Sequence, residues 1–260
     1  MCLILFANEA NSRYRLVLAA NRDEFYSRPT APAVFWEEAP DVLAGKDLKS
    51  GGSWMGVTRS GKVVAVTNFR GPGKVWENAS SRGHLVRDFL MSGESPDVFI
   101  DKLRTRTQNY NGFNLLLGSA EGLWWYSNRY DKPPHVITSG IHGLSNHLLD
   151  TPWPKVDRGK RALEHVLVGE KEITPEQVFP ILEDRSPAAD AKLADTGVGL
   201  ELERALSASF IRTQDYGTRS STVLLIELTG NLTFVERSFN LRDESQKETR
   251  YEFNIGLKVY

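Results

Sequence analysis

The 260-residue chain has one cysteine, Cys2, so an intramolecular disulfide is excluded and nothing calls for an oxidising compartment. It has almost no net charge. Thirty-two basic residues against 33 acidic ones leave −1, which gives no electrostatic reason to expect nucleic acid or an anionic membrane as partner. It also lacks long hydrophobic runs. The opening stretch "CLILFA" stops after six residues at Asn8 and Glu9, with no basic segment before it, too short for a signal peptide or a membrane span. The five histidines (His84, His135, His142, His147 and His165) are scattered without metal-site spacing, and no C-x-x-C-H is present for covalent haem attachment, so no metal site is expected. "SGGSW" and "RGPG" do not match a phosphate-binding loop and read as turns. Repeats, low-complexity tracts and long linkers are missing too. The expectation is one domain over residues 1–260, soluble and cytoplasmic.

What is present is a series of paired apolar runs. "CLILFA" and "YRLVLAAN" flank a polar turn near Asn11. "SWMGVT" and "KVVAVTNF" flank Ser60-Gly61, "FNLLLGS" and "GLWWYSN" flank Ala120-Glu121, and "STVLLIEL" and "LTFVERSF" flank "TGN". "YEFNIGL" offers a last strand. Helical spacing falls between these sets, in "SRGHLVRDFLMSG", "SPDVFIDKLRTR", "TPWPKVDRGKRALEHVL" and "TPEQVFPILEDR". The third is expected to start at Thr151-Pro152, and the fourth to kink at Pro180. Residues 185–205 are polar and show no period. Many antiparallel hairpins with segregated helices make an α+β fold, stacked sheets covered by helices.

Position 2 is a particular place for a lone cysteine. A thiol reacts as its thiolate, and at a pKa near about 8.5 little of it is ionised at neutral pH. Removal of Met1 would put an α-amine with a pKa of about 7.7–8.0 on the same residue, able to take the thiol proton and return it to a leaving group. If residues 2–7 and 14–20 pair, Cys2 lies at the sheet end that carries Asn21-Arg22-Asp23-Glu24. Strand alternation puts Asn21 and Asp23 on one face and Arg22 on the other. Asp23 would hold the amine, and Arg22 would favour thiolate. Asn68, where an apolar strand runs into a loop, and Asn146, just before a helix, are candidate amide donors. One such donor aimed at an oxyanion is worth roughly 2.7–4 kcal/mol in acyl transfer. Asn21, Arg219 and Trp54 are candidate substrate contacts. Trp124, Trp125 and Tyr126 read either as pocket or as core.

"MCLILF", "LAANRDEFYSRPT", "GGSWMGVTRSGKVVAVTNFR", "YNGFNLLLGS", "GLSNHLLDTPWPKVDRG", "YGTRSSTVLLI" and "FVERSF" together resemble the NRDE family, named after Asn21-Arg22-Asp23-Glu24. The match runs in order to the terminal "YEF". That family is similar to the N-terminal-nucleophile hydrolases of the penicillin V acylase and bile salt hydrolase group. The similarity implies an αββα sandwich, with Cys2 as nucleophile, Asp23 as its acidic partner, and Asn68 and Asn146 near the oxyanion and substrate amide. The acylase group carries an arginine three residues before the acidic partner, where this chain has Ala20. Two readings follow. One is an amidohydrolase or acyltransferase acting on a C–N acyl bond, without a cofactor. The other is a non-catalytic carrier of haem, an acyl lipid or acyl-CoA in the same cleft, since the family is associated with haem trafficking and lipid metabolism.

Overall fold

Alternation along the first strand sets the layering. In β1 (Cys2–Asn8) every residue is buried, yet successive side chains enter different cores. Ile4 and Phe6 join one apolar cluster, while Leu3, Leu5 and Ala7 join another. A strand buried on both faces belongs in the middle of a layered structure. The computed structural model describes residues 2–71, 75–119, 122–168, 172–240 and 245–256; Met1 and the Ala120-Glu121 turn lie outside this set.

The remaining elements, in chain order, are β2 (Tyr14–Phe25), β3 (Thr30–Trp36), β4 (Ala39–Asp47), β5 (Met55–Thr58), β6 (Val63–Asn68), α1 (Gly83–Met91), α2 (Pro96–Arg104), β7 (Phe113–Ser119), β8 (Gly122–Ser127), β9 (His135–Val136), β10 (Gly140–Leu144), α3 (Pro154–Leu167), α4 (Pro175–Leu182), α5 (Leu200–Leu206), β11 (Tyr216–Glu227), β12 (Asn231–Asn240) and β13 (Ser245–Asn254). One sheet has the order β10-β1-β2-β11-β12-β13, the other β3-β4-β5-β6-β7-β8-β9, with antiparallel neighbours throughout. Ile4, Phe6 and Leu18 of the first sheet meet Leu43, Met55 and Val57 of the second in the layer between them. On the outer face of the first sheet, Leu3, Leu5 and Val17 pack against Val156 and Leu163 of α3 and Phe179 of α4. On the outer face of the second, Val64, Val66 and Leu115 pack against Phe89 of α1 and Phe99 of α2. The result is the four-layer α/β/β/α arrangement expected from the sequence.

Several boundaries differ from the reading above. β2 continues through Phe25, so Asn21-Arg22-Asp23-Glu24 is strand rather than strand end. α3 begins at Pro154, not at Thr151, because a proline excludes helical geometry from the residue before it. Trp153 is accordingly extended, at φ −70° and ψ 143°. α4 does start at its Thr174 cap, closed by Gln177, but ends at Leu182 soon after Pro180. The β3–β4 hairpin was not anticipated. Pro32 and Pro40 interrupt it and its pairing carries two irregularities, so no period-2 pattern marks it. In the segment 185–205 lie a short 3₁₀ turn and the start of α5. Trp125 and Tyr126 are buried in the two cores beside the second sheet, which settles the aromatic strand as core.

Two glycines allow close approaches that shape the molecule. A Cβ on Gly159 of α3 would lie 2.4 Å from Leu5 Cδ1, so α3 sits tight on β1. A Cβ on Gly52 would lie 2.4 Å from the carbonyl carbon of Gly83, which seats the start of α1 against the β4–β5 connection.

Candidate active site

Parity determines what Cys2 faces. The β1–β2 register pairs Cys2 with Arg22, Leu3 with Asn21 and Ile4 with Ala20. Directly opposed residues of an antiparallel pair share a face. Cys2 and Arg22 therefore point into the inter-sheet layer with Ile4 and Ala20, at its end. There a cleft of about 650 Å³ is lined by Cys2, Arg22, Asp23, Glu24, Asn68 and Trp54, among others. Asn21 has the opposite parity, beneath the helices. It is fully buried, its amide donating to the carbonyls of Leu182 and Ser209 (2.8 Å each) and its Oδ1 accepting from Ser221 Oγ at 2.6 Å. It ties β2 to the helix layer, and it does not line the cleft where a substrate contact was expected.

Cys2 is buried, and its thiol pKa is raised. Burial is the main cause and the Asp23 charge adds to it, while Arg22 and the backbone N–H of Asp23 act in favour of thiolate. Among the described residues no hydrogen bond or ion pair engages the Arg22 guanidinium, although it is only 9% exposed. It stands at the place from which a charge acts on the sulfur. Ala20, at the position of the acylase arginine, lies one pair deeper on the same face and is fully buried in the inter-sheet core. Arg22 thus supplies a cation on the face where Ala20 does not.

Asp23 is 2% exposed. Thr218 Oγ1 donates to its Oδ1 at 2.7 Å, and the Tyr216 hydroxyl donates to its backbone carbonyl at 2.8 Å. Burial pushes its pKa up, and Lys155, the Thr218 hydrogen bond and Arg22 oppose that. Tyr216 is held protonated by burial and by the neighbouring Asp23 and Cys2. Arg219 occupies a bulge in β11, between Thr218, which pairs with Asp23, and Ser220, which pairs with Arg22. Its guanidinium donates to the carbonyls of Phe25, Tyr26 and Arg28, fastening the β2–β3 turn at the cleft wall.

The two candidate asparagines are joined, in unequal roles. Asn68 lines the cleft; Asn146 does not. Asn146 is fully buried, its amide donates to the Asn68 carbonyl at 3.0 Å, and its own carbonyl accepts from the Arg70 backbone N–H at 2.6 Å. Its neighbour Ser145 donates from Oγ to the Cys2 carbonyl at 3.0 Å and accepts from Thr67 Oγ1 at 2.6 Å. Residues 145–146 thus bracket the two sheets, holding Cys2 on one and Asn68 on the other. The expectation that Asn146 touches the substrate amide gives way to a supporting place behind Asn68.

Some neighbours had no signal in the sequence. Lys155 looks like an ordinary first-turn lysine, yet it is 2% exposed, and burial lowers its pKa to about 8 against the Asp23 charge that raises it. Glu236, from "FVERSF", is buried in the cleft wall, accepts from the Ala33 N–H at 2.8 Å, and has its pKa raised by burial. Arg82 and His84 flank the first residue of α1, and both line the cleft. Arg82 donates to the Gly112 carbonyl at 3.0 Å, while His84 Nε2 lies 2.7 Å from the Ser50 carbonyl. Of the other histidines, His142 is engaged by Asp150 at 2.7 Å and His147 packs between Phe69 and Trp153, both away from the cleft.

Two stacked antiparallel sheets between helical layers, with the chain's first strand an internal strand of one of them, make the fold of the N-terminal-nucleophile hydrolases. The solved structure of a Caenorhabditis elegans N-acylethanolamine-hydrolyzing acid amidase ortholog has this fold. It matches with a TM-score of 0.51 and 13% identity, over 86% of this chain and 92% of that one. The family model for Transport and Golgi organisation 2 matches residues 1–241, and the chain belongs to that family. The Homo sapiens Transport and Golgi organization protein 2 homolog is 38% identical over 275 residues, covering 98% of this chain and 99% of the relative. The Drosophila melanogaster Transport and Golgi organization protein 2 is 28% identical over 265 residues, covering 92% of each. No helix among the described residues is long and apolar enough to cross a membrane.

Proposed function

We propose that the chain is an N-terminal cysteine amidohydrolase or acyltransferase acting on a C–N acyl bond. The observation that carries this is the meeting of Cys2, Arg22, Asp23 and Asn68 at one end of the cleft. In this reading Met1 is removed and Cys2 carries the free amine. The thiol proton passes to that amine, Sγ bonds to the substrate carbonyl carbon, and the carbonyl oxygen becomes an oxyanion facing the Asn68 amide. Collapse breaks the C–N bond, the leaving nitrogen takes the proton from the Cys2 ammonium, and a thioester remains. Water or a second nucleophile then releases the acyl group. Arg22 favours thiolate, Asp23 holds the ammonium, and Asn146 keeps Asn68 in place.

Intact mass measured on protein from its own type of host tests the first requirement: it should be lower by one methionine, and retention of Met1 refutes the mechanism. Amine release from a panel of N-acyl amides tests the second. The panel includes an N-acylethanolamine, the substrate named for the nematode neighbour. Release by the wild type and none by Cys2→Ala is expected; equal release by both removes Cys2 as nucleophile.

The carrier reading draws on the size of the cleft, which falls in the range that holds small ligands, and on Trp54 and Trp76 in its wall. Haem, an acyl lipid or acyl-CoA would be cargo there, with His84 the histidine nearest to hand. A Soret shift that saturates near one equivalent of haem and is lost in His84→Ala supports it; a shift without saturation counts against it.

A further inference from the structure

The cleft runs from Cys2 toward one side of its sheet. Ser145 and Asn146 fasten the β10 side, and among the described residues none of β10 lines the cleft, whereas Ser220, Ser238 and Lys247 of β11, β12 and β13 do. The register shows how these stand. Cys2 pairs with Arg22, Arg22 with Ser220, Ser220 with Ser238 and Ser238 with Lys247, in one row across five strands. Paired residues share a face, so the whole row belongs to the inter-sheet side, and every member lines the cleft. With strands about 4.8 Å apart, Ser238 stands about 14 Å from Cys2 along this floor. Beyond the thiol the row presents a guanidinium, two hydroxyls and an ammonium, and no carboxylate.

Arg22 is the member that asks for a ligand. It is 9% exposed, and no hydrogen bond or ion pair among the described residues engages its guanidinium. A buried charge without a partner is unfavourable. Two carboxylates of the cleft wall are committed elsewhere: Asp47 takes two hydrogen bonds from Arg28, at 3.1 and 2.6 Å, and Glu236 accepts from the Ala33 N–H at 2.8 Å. A planar fork of N–H donors in the cleft, on the residue paired with Cys2, matches the shape and charge of a carboxylate. We propose that the cleft takes ligands that carry a carboxylate, seated on Arg22 beside Cys2 at the head of the polar row. Joined to the amide-chemistry reading, on which this step rests, the substrate becomes an acyl amide with a carboxylate a few bonds from the scissile carbonyl. The seat itself does not depend on that reading. A neutral amide would leave Arg22 unpaired.

Two alkylating agents of similar size report on the seat without turnover, because Cys2 is the sole thiol. Iodoacetate carries a carboxylate and iodoacetamide does not; with both, the thiolate displaces iodide from the methylene carbon. Both need the same thiolate, so the ratio of their rates cancels its abundance and isolates recognition of the charge. The iodoacetate-to-iodoacetamide ratio of the folded chain should exceed that of the urea-unfolded chain by about tenfold or more. Arg22→Gln should abolish the excess and Arg22→Lys should retain most of it. In Cys2→Ala, calorimetry should find N-lauroylglycine bound about tenfold or more tightly than N-lauroylethanolamine, and the preference should vanish when Arg22→Gln is added. Equal ratios in folded and unfolded protein overturn the proposal, as do equal affinities for the two amides, no binding of either, or a preference that survives Arg22→Gln. A charge preference without amide release leaves the seat standing and removes the enzyme reading alone, while release from neutral amides with no charge preference does the reverse.

Discussion

Replacing Arg22 with glutamine should make the thiol of Cys2 harder to ionise, and the register permits an estimate of how much. Opposed residues of an antiparallel pair have Cα atoms about 4.5–5.5 Å apart. With the length of the arginine side chain, its charge lies roughly 7 Å from the sulfur, where at an effective dielectric of about 20 a unit charge is worth about 2.4 kcal/mol, or about 1.7 pH units. Water in the cleft reduces this, so an upward shift of about 1–2 units is expected, on top of a pKa already raised by burial. At neutral pH the thiolate fraction, and the alkylation rate with it, should fall about 10- to 100-fold. The assay is clean because the chain has a single cysteine, so iodoacetamide labelling against pH reports Cys2 alone. Arg22→Lys should keep most of the wild-type profile. A midpoint in Arg22→Gln within about 0.3 unit of wild type, with the thermal melt unchanged, would show that Arg22 does not act on the sulfur.

Three further outcomes follow from the packing and the buried charges. Gly159→Ala places a methyl 2.4 Å from Leu5 Cδ1 and should cost about 1–3 kcal/mol in urea unfolding, with partial recovery in Gly159→Ala/Leu5→Val. Glu236 has a folded pKa above its ordinary value, so the folded state retains a proton that the unfolded chain has released; stability therefore falls as pH rises from about 4.5 and levels off above the folded pKa. Glu236→Gln, whose Oε1 still accepts from Ala33, should flatten that slope, and parallel urea-midpoint profiles from pH 4.5 to 7.5 would refute the assignment. Asn146→Ala leaves the half-buried Asn68 carbonyl without its donor and should lose about 1–2 kcal/mol, whereas Asn68→Ala should change stability by less than about 0.5 kcal/mol yet lower any amide turnover by about 100-fold. Paired melts and kinetics distinguish the two roles.

The layering was legible because β1, β2 and β11 carry their apolar residues without interruption, and helical spacing separates cleanly from strands. The opposite faces of Asn21 and Arg22 also followed from alternation. Which of those faces meets Cys2 did not, because that depends on the residue-by-residue register across the turn after Asn8. Lys155 and Glu236 were illegible for a different reason. A charged residue near a helix start or in a strand looks solvent-facing until distant segments close over it, and here those come from α5 and from the β3–β4 hairpin. The same hairpin was missed because prolines and paired irregularities erase its period.

The Ser145–Asn146 bracket has a consequence for how this scaffold can vary. It fastens one flank of the cleft, so the spacing between Cys2 and Asn68 is set there. The other flank, residues 76–84 with exposed Trp76, is held by hydrogen bonds to Asn109, Asn111 and Gly112. In the amide-chemistry reading, entry to the cleft and reaction at Cys2 would then fall to separate stretches of chain. In that reading a graft that rewrites residues 76–81 should change which molecules enter while leaving the distance from sulfur to amide untouched.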